Sequence, residues 1–183
     1  MRAMRALSLL AFTLLFPFTA QAADCPDFLN HDLRKLHSSE LVNLCDVADG
    51  KPMLVVNTAS HCGYTDQFEG LEATHKQYRD KGLVVVGFAS DDFNQEADSE
   101  AEAAGVCFKN FGVTFTMIAP TSVTGGDANP VFRALNQQSS APGWNFFKYV
   151  VNAQGEVVER FPSRVAPDDE RLRNRLDEVV ASY

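Results

Sequence analysis

The chain is poor in tryptophan, in basic side chains and in paired cysteines. Among its 183 residues Trp144 is the one tryptophan, and 16 Lys or Arg face 24 Asp or Glu, a net charge of −8. Such acidity repels phosphate backbones and anionic headgroups, which argues against nucleic acid or a membrane surface as partner. No Cys-x-x-Cys occurs, and no histidine is spaced from another histidine or a cysteine as metal ligands are. Neither a vicinal dithiol nor a zinc site is therefore expected, and no metal or other cofactor is implied. There is no internal repeat and no linker, and after residue 22 no run is apolar enough to cross a bilayer.

What is present begins with a targeting pattern. Arg2 and Arg5 form a basic start, Ala6 to Thr19 is apolar but too short for a span, and Ala20-Gln21-Ala22 is a small-x-small cleavage site. Residues 1–22 read as a secretory signal peptide, leaving residues 23–183 as one domain with no membrane anchor and a periplasmic or secreted destination. Loss of the two charges of Arg2 and Arg5 takes the net charge from −8 to −10.

All four cysteines, Cys25, Cys45, Cys62 and Cys107, lie in the exported part. An oxidising compartment favours disulfides, and four cysteines allow three pairings that sequence does not choose between. Cys25 and Cys45 flank an N-terminal segment that looks like an appendage, and a bridge there reads as a structural staple. Cys62 is placed differently. It follows the apolar, β-branched run Met53 to Val56, and after Thr65 the residues Phe68, Leu71, His75 and Tyr78 recur at helical spacing. A cysteine between a buried strand and a helix start sits where N–H groups favour an anion, which suits a reactive thiolate. Free cysteine also plugs cores, so position alone leaves that second reading open. His61 reads as a solvated loop residue.

The helix from about Thr65 to Asp80 stops at Lys81-Gly82, and Leu83 to Ala89 is a second buried strand. Strand, helix, strand at this spacing is a right-handed βαβ unit. An acidic, alanine-rich helix from about Gln95 to Asn110 carries Cys107, and a short strand ends near Ile118. Pro130 opens another helix through about Gln138. Strands at 146–151 and 156–161 are joined by the turn Ala153-Gln154-Gly155, and a helix from about Pro167 to Ala181 closes the chain. The order β-α-β-α-β-β-α, with one inserted helix, describes an α/β thioredoxin-like fold: a central mixed β-sheet flanked by helices.

Three stretches then carry a resemblance: NTASHCGYTDQF around Cys62, GVCFKNFGVTF around Cys107, and WNFFKYVVNAQGEVVERF from Trp144. Together they resemble the glutathione peroxidase family, over about residues 50 to 166. The resemblance implies reduction of hydroperoxides by Cys62, with Trp144 and Asn145 as hydrogen-bonding partners of the sulfur. The chemistry needs such donors, because a thiolate attacks one peroxide oxygen while the departing oxygen must take a proton. Cys107 resembles the resolving cysteine of thioredoxin-dependent members, so its helix would have to unwind to reach Cys62. The alternative for Cys107 is a buried cysteine on a helix face. No long insertion lies between Met117 and Trp144, which implies the monomeric type and a more open site for bulky hydroperoxides. The reductant would be a thioredoxin-like protein or a low-molecular-weight thiol outside the cytosol.

One departure stands out. Where the family has a site glutamine after the second strand, this chain has Asp92 in a loop that is one residue shorter. An ionised carboxylate cannot donate, and beside a thiolate it opposes ionisation. Asp92 is then protonated, or points away, or yields to Gln95, or the site turns over slowly. That last case motivates a second class of function, a non-catalytic peroxide sensor using the same thiol. Related folds fit less well. Thr65 replaces the second cysteine of a dithiol oxidoreductase, Ala59 the threonine of a peroxiredoxin, and Asp66 the second cysteine of a copper chaperone.

Overall fold

The computed structural model describes residues 25–183; the signal-peptide reading falls on residues outside them. One five-stranded sheet has the order β5-β4-β3-β6-β7, with β3 at Met53–Thr58, β4 at Val84–Ala89, β5 at Thr116–Ile118, β6 at Lys148–Val151 and β7 at Val157–Phe161. β4 lies parallel to both β3 and β5, whereas β6 is antiparallel to β3 and β7. The sheet is thus mixed and flanked by helices, the thioredoxin-like architecture that the element order predicts. β3 sits at its centre and is buried along its whole length, as its apolar run predicts.

Alternation along β3 serves two cores. Leu54 and Val56 face the side covered by α2 (Gln67–Tyr78) and α5 (Glu170–Ala181), through Phe68, Leu71, Leu172 and Leu176. Met53 and Val55 face the other side, where α1 (Leu44–Ala48) and α4 (Pro130–Gln138) contribute Leu44, Phe132 and Leu135. Pro130 fits the first turn of α4 because it has no N–H to leave unpaired, and the Asn129 side chain accepts the Phe132 N–H.

The N-terminal segment is more ordered than an appendage. It forms an antiparallel hairpin, β1 (Asp32–Arg34) with β2 (Leu41–Asn43), and a disulfide joins Cys25 to Cys45 with Cα atoms 5.8 Å apart. Leu36 N–H donates to Met117 O and Ala119 N–H to Arg34 O, so this segment covers the outer edge of β5. The β6–β7 turn is pressed from the same direction. Gly155 has φ +81°, and a Cβ there would lie 2.5 Å from Pro26, so the turn admits only glycine.

The acidic helix begins later than its composition predicts. Residues 95–99 form a loop, α3 covers Glu100–Ala104 with Ser99 as its N-cap, and one π-helical turn follows at Gly105–Asn110. The reason is tertiary: Gln95 and Glu96 are hydrogen-bonded to the loop after β3, and Ala97 N–H to the Glu96 side chain, which overrides their helix propensity. Helix α2 likewise starts at Gln67, after two tight turns at Cys62–Thr65 and Tyr64–Gln67.

Candidate active site

Cys62 is a free cysteine, 7% exposed, on the loop between β3 and α2. Thr65 holds that loop closed. Its hydroxyl accepts the Cys62 N–H at 3.1 Å and donates to Ala59 O at 3.0 Å, while its own N–H donates to Cys62 O at 3.0 Å. The sulfur receives one backbone donor, Tyr64 N–H at 3.5 Å.

The second wall is the segment Trp144–Phe147, and Asn57 at the end of β3 fixes it. Asn57 Nδ2 donates to Trp144 O at 3.0 Å, Asn57 O accepts Phe146 N–H at 2.7 Å, and Asn57 Oδ1 accepts Phe147 N–H at 3.1 Å. These bonds hold Phe146 at φ +62°, a left-handed conformation that a bulky residue keeps only under constraint. The turn leaves Trp144 39% exposed and Asn145 fully buried. Trp144 stacks on Phe93 at 5.4 Å between ring centroids and lines an open hollow with Tyr64, Phe147 and Arg164.

The loop after β4 joins the two walls through Gln95. Gln95 O accepts His61 N–H at 2.8 Å, immediately before Cys62, and Gln95 Oε1 accepts Asn145 Nδ2 at 3.3 Å. Asn145 Oδ1 is buried with no partner among the described residues. The site therefore holds a spare amide oxygen, an acceptor that the O–H of a hydroperoxide can use.

Asp92 is not part of this arrangement. One of its carboxylate oxygens accepts Val123 N–H at 2.8 Å, Thr124 N–H at 2.7 Å and the Thr124 hydroxyl at 2.8 Å. It anchors the loop before α4, so of the alternatives its sequence position left open the geometry is that of a carboxylate engaged elsewhere, with Gln95 the side chain of this loop that meets Asn145. Cys107 lies on the π-helical turn, buried and free, in the same core cluster as Cys62. Burial first, and the Glu96 carboxylate second, push its thiol up to about 12. His61 is half-exposed and pairs with Glu102 at 3.1 Å.

Two supporting groups were not foreseen from sequence. Lys148 on β6 is fully buried, donating to Phe146 O at 2.9 Å and to Gln67 Oε1. Burial pushes its ammonium down to about 7. Gln67 Nε2 donates to Ser163 O at 2.7 Å, and the Ser163 hydroxyl donates to Asn145 O at 2.6 Å, so the Asn145 turn is tied back to the first residue of α2. The signal for Lys148 was available as a lone charge inside the apolar run FFKYVV. Among the described residues no cluster of three His, Cys, Asp or Glu is placed to hold a metal.

A family model described as glutathione peroxidase matches residues 30–136. A glutathione peroxidase-like peroxiredoxin of Schizosaccharomyces pombe is 44% identical over 137 residues, covering 72% of this chain and 85% of its own length. A glutathione peroxidase of Lactococcus lactis is 40% identical over 138 residues, covering 72% and 87%. Among solved structures, one titled Trgpx in apo form superposes with a TM-score of 0.66 at 26% identity, covering 86% of this chain and 97% of that one.

Proposed function

The chain belongs to the glutathione peroxidase family, and we propose that it is an exported thiol peroxidase that reduces hydrogen peroxide and organic hydroperoxides through Cys62. The observation that carries this reading is the pair of hydrogen bonds that Gln95 accepts, one from the residue before Cys62 and one from Asn145. It gathers a free cysteine and amide groups into one buried place, with the Trp144 hollow beside it.

In the first step the Cys62 thiolate attacks one peroxide oxygen. The S–O bond forms as the O–O bond breaks, and the departing oxygen leaves as water or an alcohol after taking a proton. Cys62 is then a sulfenic acid. Cys107 attacks that sulfur, the S–O bond breaks, and a Cys62–Cys107 disulfide forms with loss of water. A thioredoxin-like protein or a low-molecular-weight thiol returns both cysteines to thiols. Because Cys107 is buried on a π-helical turn, residues 95–110 open locally to let it move. The Cys25–Cys45 bridge supports an oxidising compartment and takes no part in turnover. The enzyme acts as a monomer. With Asp92 engaged by Val123 and Thr124, the reason for preferring a non-catalytic sensor falls away.

One equivalent of hydrogen peroxide, followed by disulfide mapping by mass spectrometry, tests the cycle. The expected product is a Cys62–Cys107 bridge with Cys25–Cys45 intact, and a Cys62→Ser variant that consumes no peroxide. A Cys62→Ser variant with full turnover would overturn the assignment of the nucleophile. A persistent sulfenic Cys62 with Cys107 free would overturn the assignment of the resolving residue.

A further inference from the structure

The reaction just described leaves a half-buried carboxylate beside the Cys62 loop without a role. Glu96 Oε1 accepts Ala97 N–H at 2.8 Å, Ser60 N–H at 3.1 Å and the Ser60 hydroxyl, while Glu96 N–H donates to Asp91 Oδ1 at 3.0 Å. Two donors of Ser60 on one oxygen of Glu96 tie the loop before α3 to the loop of Cys62, and the Ala97 N–H holds that oxygen in place. The residue before it is Gln95, which holds His61 and Asn145. The residues after it lead through α3 into the π-helical turn of Cys107. Asp91 and Cys107 are the titratable groups that interact with it. One short segment is therefore fastened to the nucleophile's loop and the Asn145 turn, and it also leads to the second buried thiol.

We propose that Glu96 is a positioning residue that clasps residues 95–97 to Ser60, setting Gln95 against Asn145 and restraining the Cys107 segment until Cys62 is oxidised. This rests on the reading of Cys62 and Cys107 given above. With the clasp shut, Gln95 stays on Asn145 and the peroxide step is fast. For the Cys107 segment to travel to Cys62, the Ser60 bonds must part, so the same contact that favours the first step slows the second. The half-buried Glu96 carboxylate near Cys107 also opposes formation of its thiolate.

Trp144 is the one tryptophan and lies beside the site, so its fluorescence after mixing with peroxide reports each step. Glu96→Ala removes the acceptor, whereas Glu96→Gln keeps an oxygen for Ser60 and Ala97 but removes the charge. The expected result for Glu96→Ala is a peroxide-dependent phase slowed about tenfold, as for a mispositioned site group, with a faster peroxide-independent phase. Glu96→Gln restores the first phase to within about threefold of the parent. It also moves the pH at which the second phase becomes fast to lower values, because no carboxylate faces Cys107. A purely structural role would not give that pH shift. The first phase is also read in a Cys107→Ser background, so the hold on the peroxide site is judged whether or not Cys107 resolves. Unchanged phases in both variants, or equal slowing in both with no pH shift, would overturn the proposal.

Discussion

Asn145 Nδ2 meets Gln95 Oε1 at 3.3 Å across 50 positions of sequence, and Asp92, three residues earlier, is turned to Val123 and Thr124. Two side chains in one loop thus divide two tasks. Gln95 furnishes the site and Asp92 anchors the loop. Gln95→Leu should slow the oxidation of Cys62 by at least about tenfold, measured by single-turnover fluorescence of Trp144, while the unpaired Asn145 amide costs only about 1 kcal/mol of stability.

Asp92→Ala should do the reverse. It leaves two backbone N–H groups and one hydroxyl without their charged acceptor, which costs about 2 kcal/mol. A lowered urea midpoint with near-normal Cys62 oxidation is the expected pair of results. A lost first phase with unchanged stability would return Asp92 to the site.

Lys148 makes stability depend on pH in the neutral range. Its ammonium is pushed down to about 7 in the folded protein from an ordinary 10.5, because burial disfavours the charge. The unfolded chain therefore binds the proton more tightly across that window, and stability rises as pH increases from 7 towards 10.5. Lys148→Met lacks this rise. Between about pH 7 and about pH 9 the parent should gain about 2 kcal/mol on the variant in denaturant titrations.

Glu72 on α2 also makes stability rise with pH, but in the acid range and because its charged form is favoured by the fold. Burial pushes its carboxyl up, but the Thr114 N–H and hydroxyl and the Lys76 ammonium outweigh that and hold it below the usual carboxylate value. A group so lowered stabilises the fold above its unfolded pKa, and that contribution is lost as pH falls through the folded one. The stability advantage of the parent over Glu72→Gln should shrink on acidification from about pH 6 to about pH 3, followed by thermal unfolding.

The Cys25–Cys45 bridge closes an interval of 20 residues. Its loss in a Cys25→Ser, Cys45→Ser double variant should cost about 3 kcal/mol, chiefly through the freed unfolded chain. The rate of Cys62 oxidation should hold, since the bridge packs beside Met53, where β3 begins, whereas Cys62 lies beyond the strand's far end at Thr58.

Local pattern decided the elements that depend on local pattern. The β-branched run at 53–56, the stop at Gly82, Pro130 at a helix start and the Leu172–Leu176 spacing each fix a segment through its own periodicity or capping. They also put Cys62 after the central strand and Trp144-Asn145 before β6. Tertiary packing decided the rest. Gln95 to Ala97 are helix-competent residues held in a loop by His61 and Ser60, so α3 starts at Glu100. The hairpin of residues 32–43 forms where it can cover the edge of β5, which no local signal announces. Asp92 or Gln95 was a choice of orientation within a loop shortened by one residue. It went to Gln95 because Val123 and Thr124 present their N–H groups to Asp92, and such a partnership between distant segments exists only once the chain has folded.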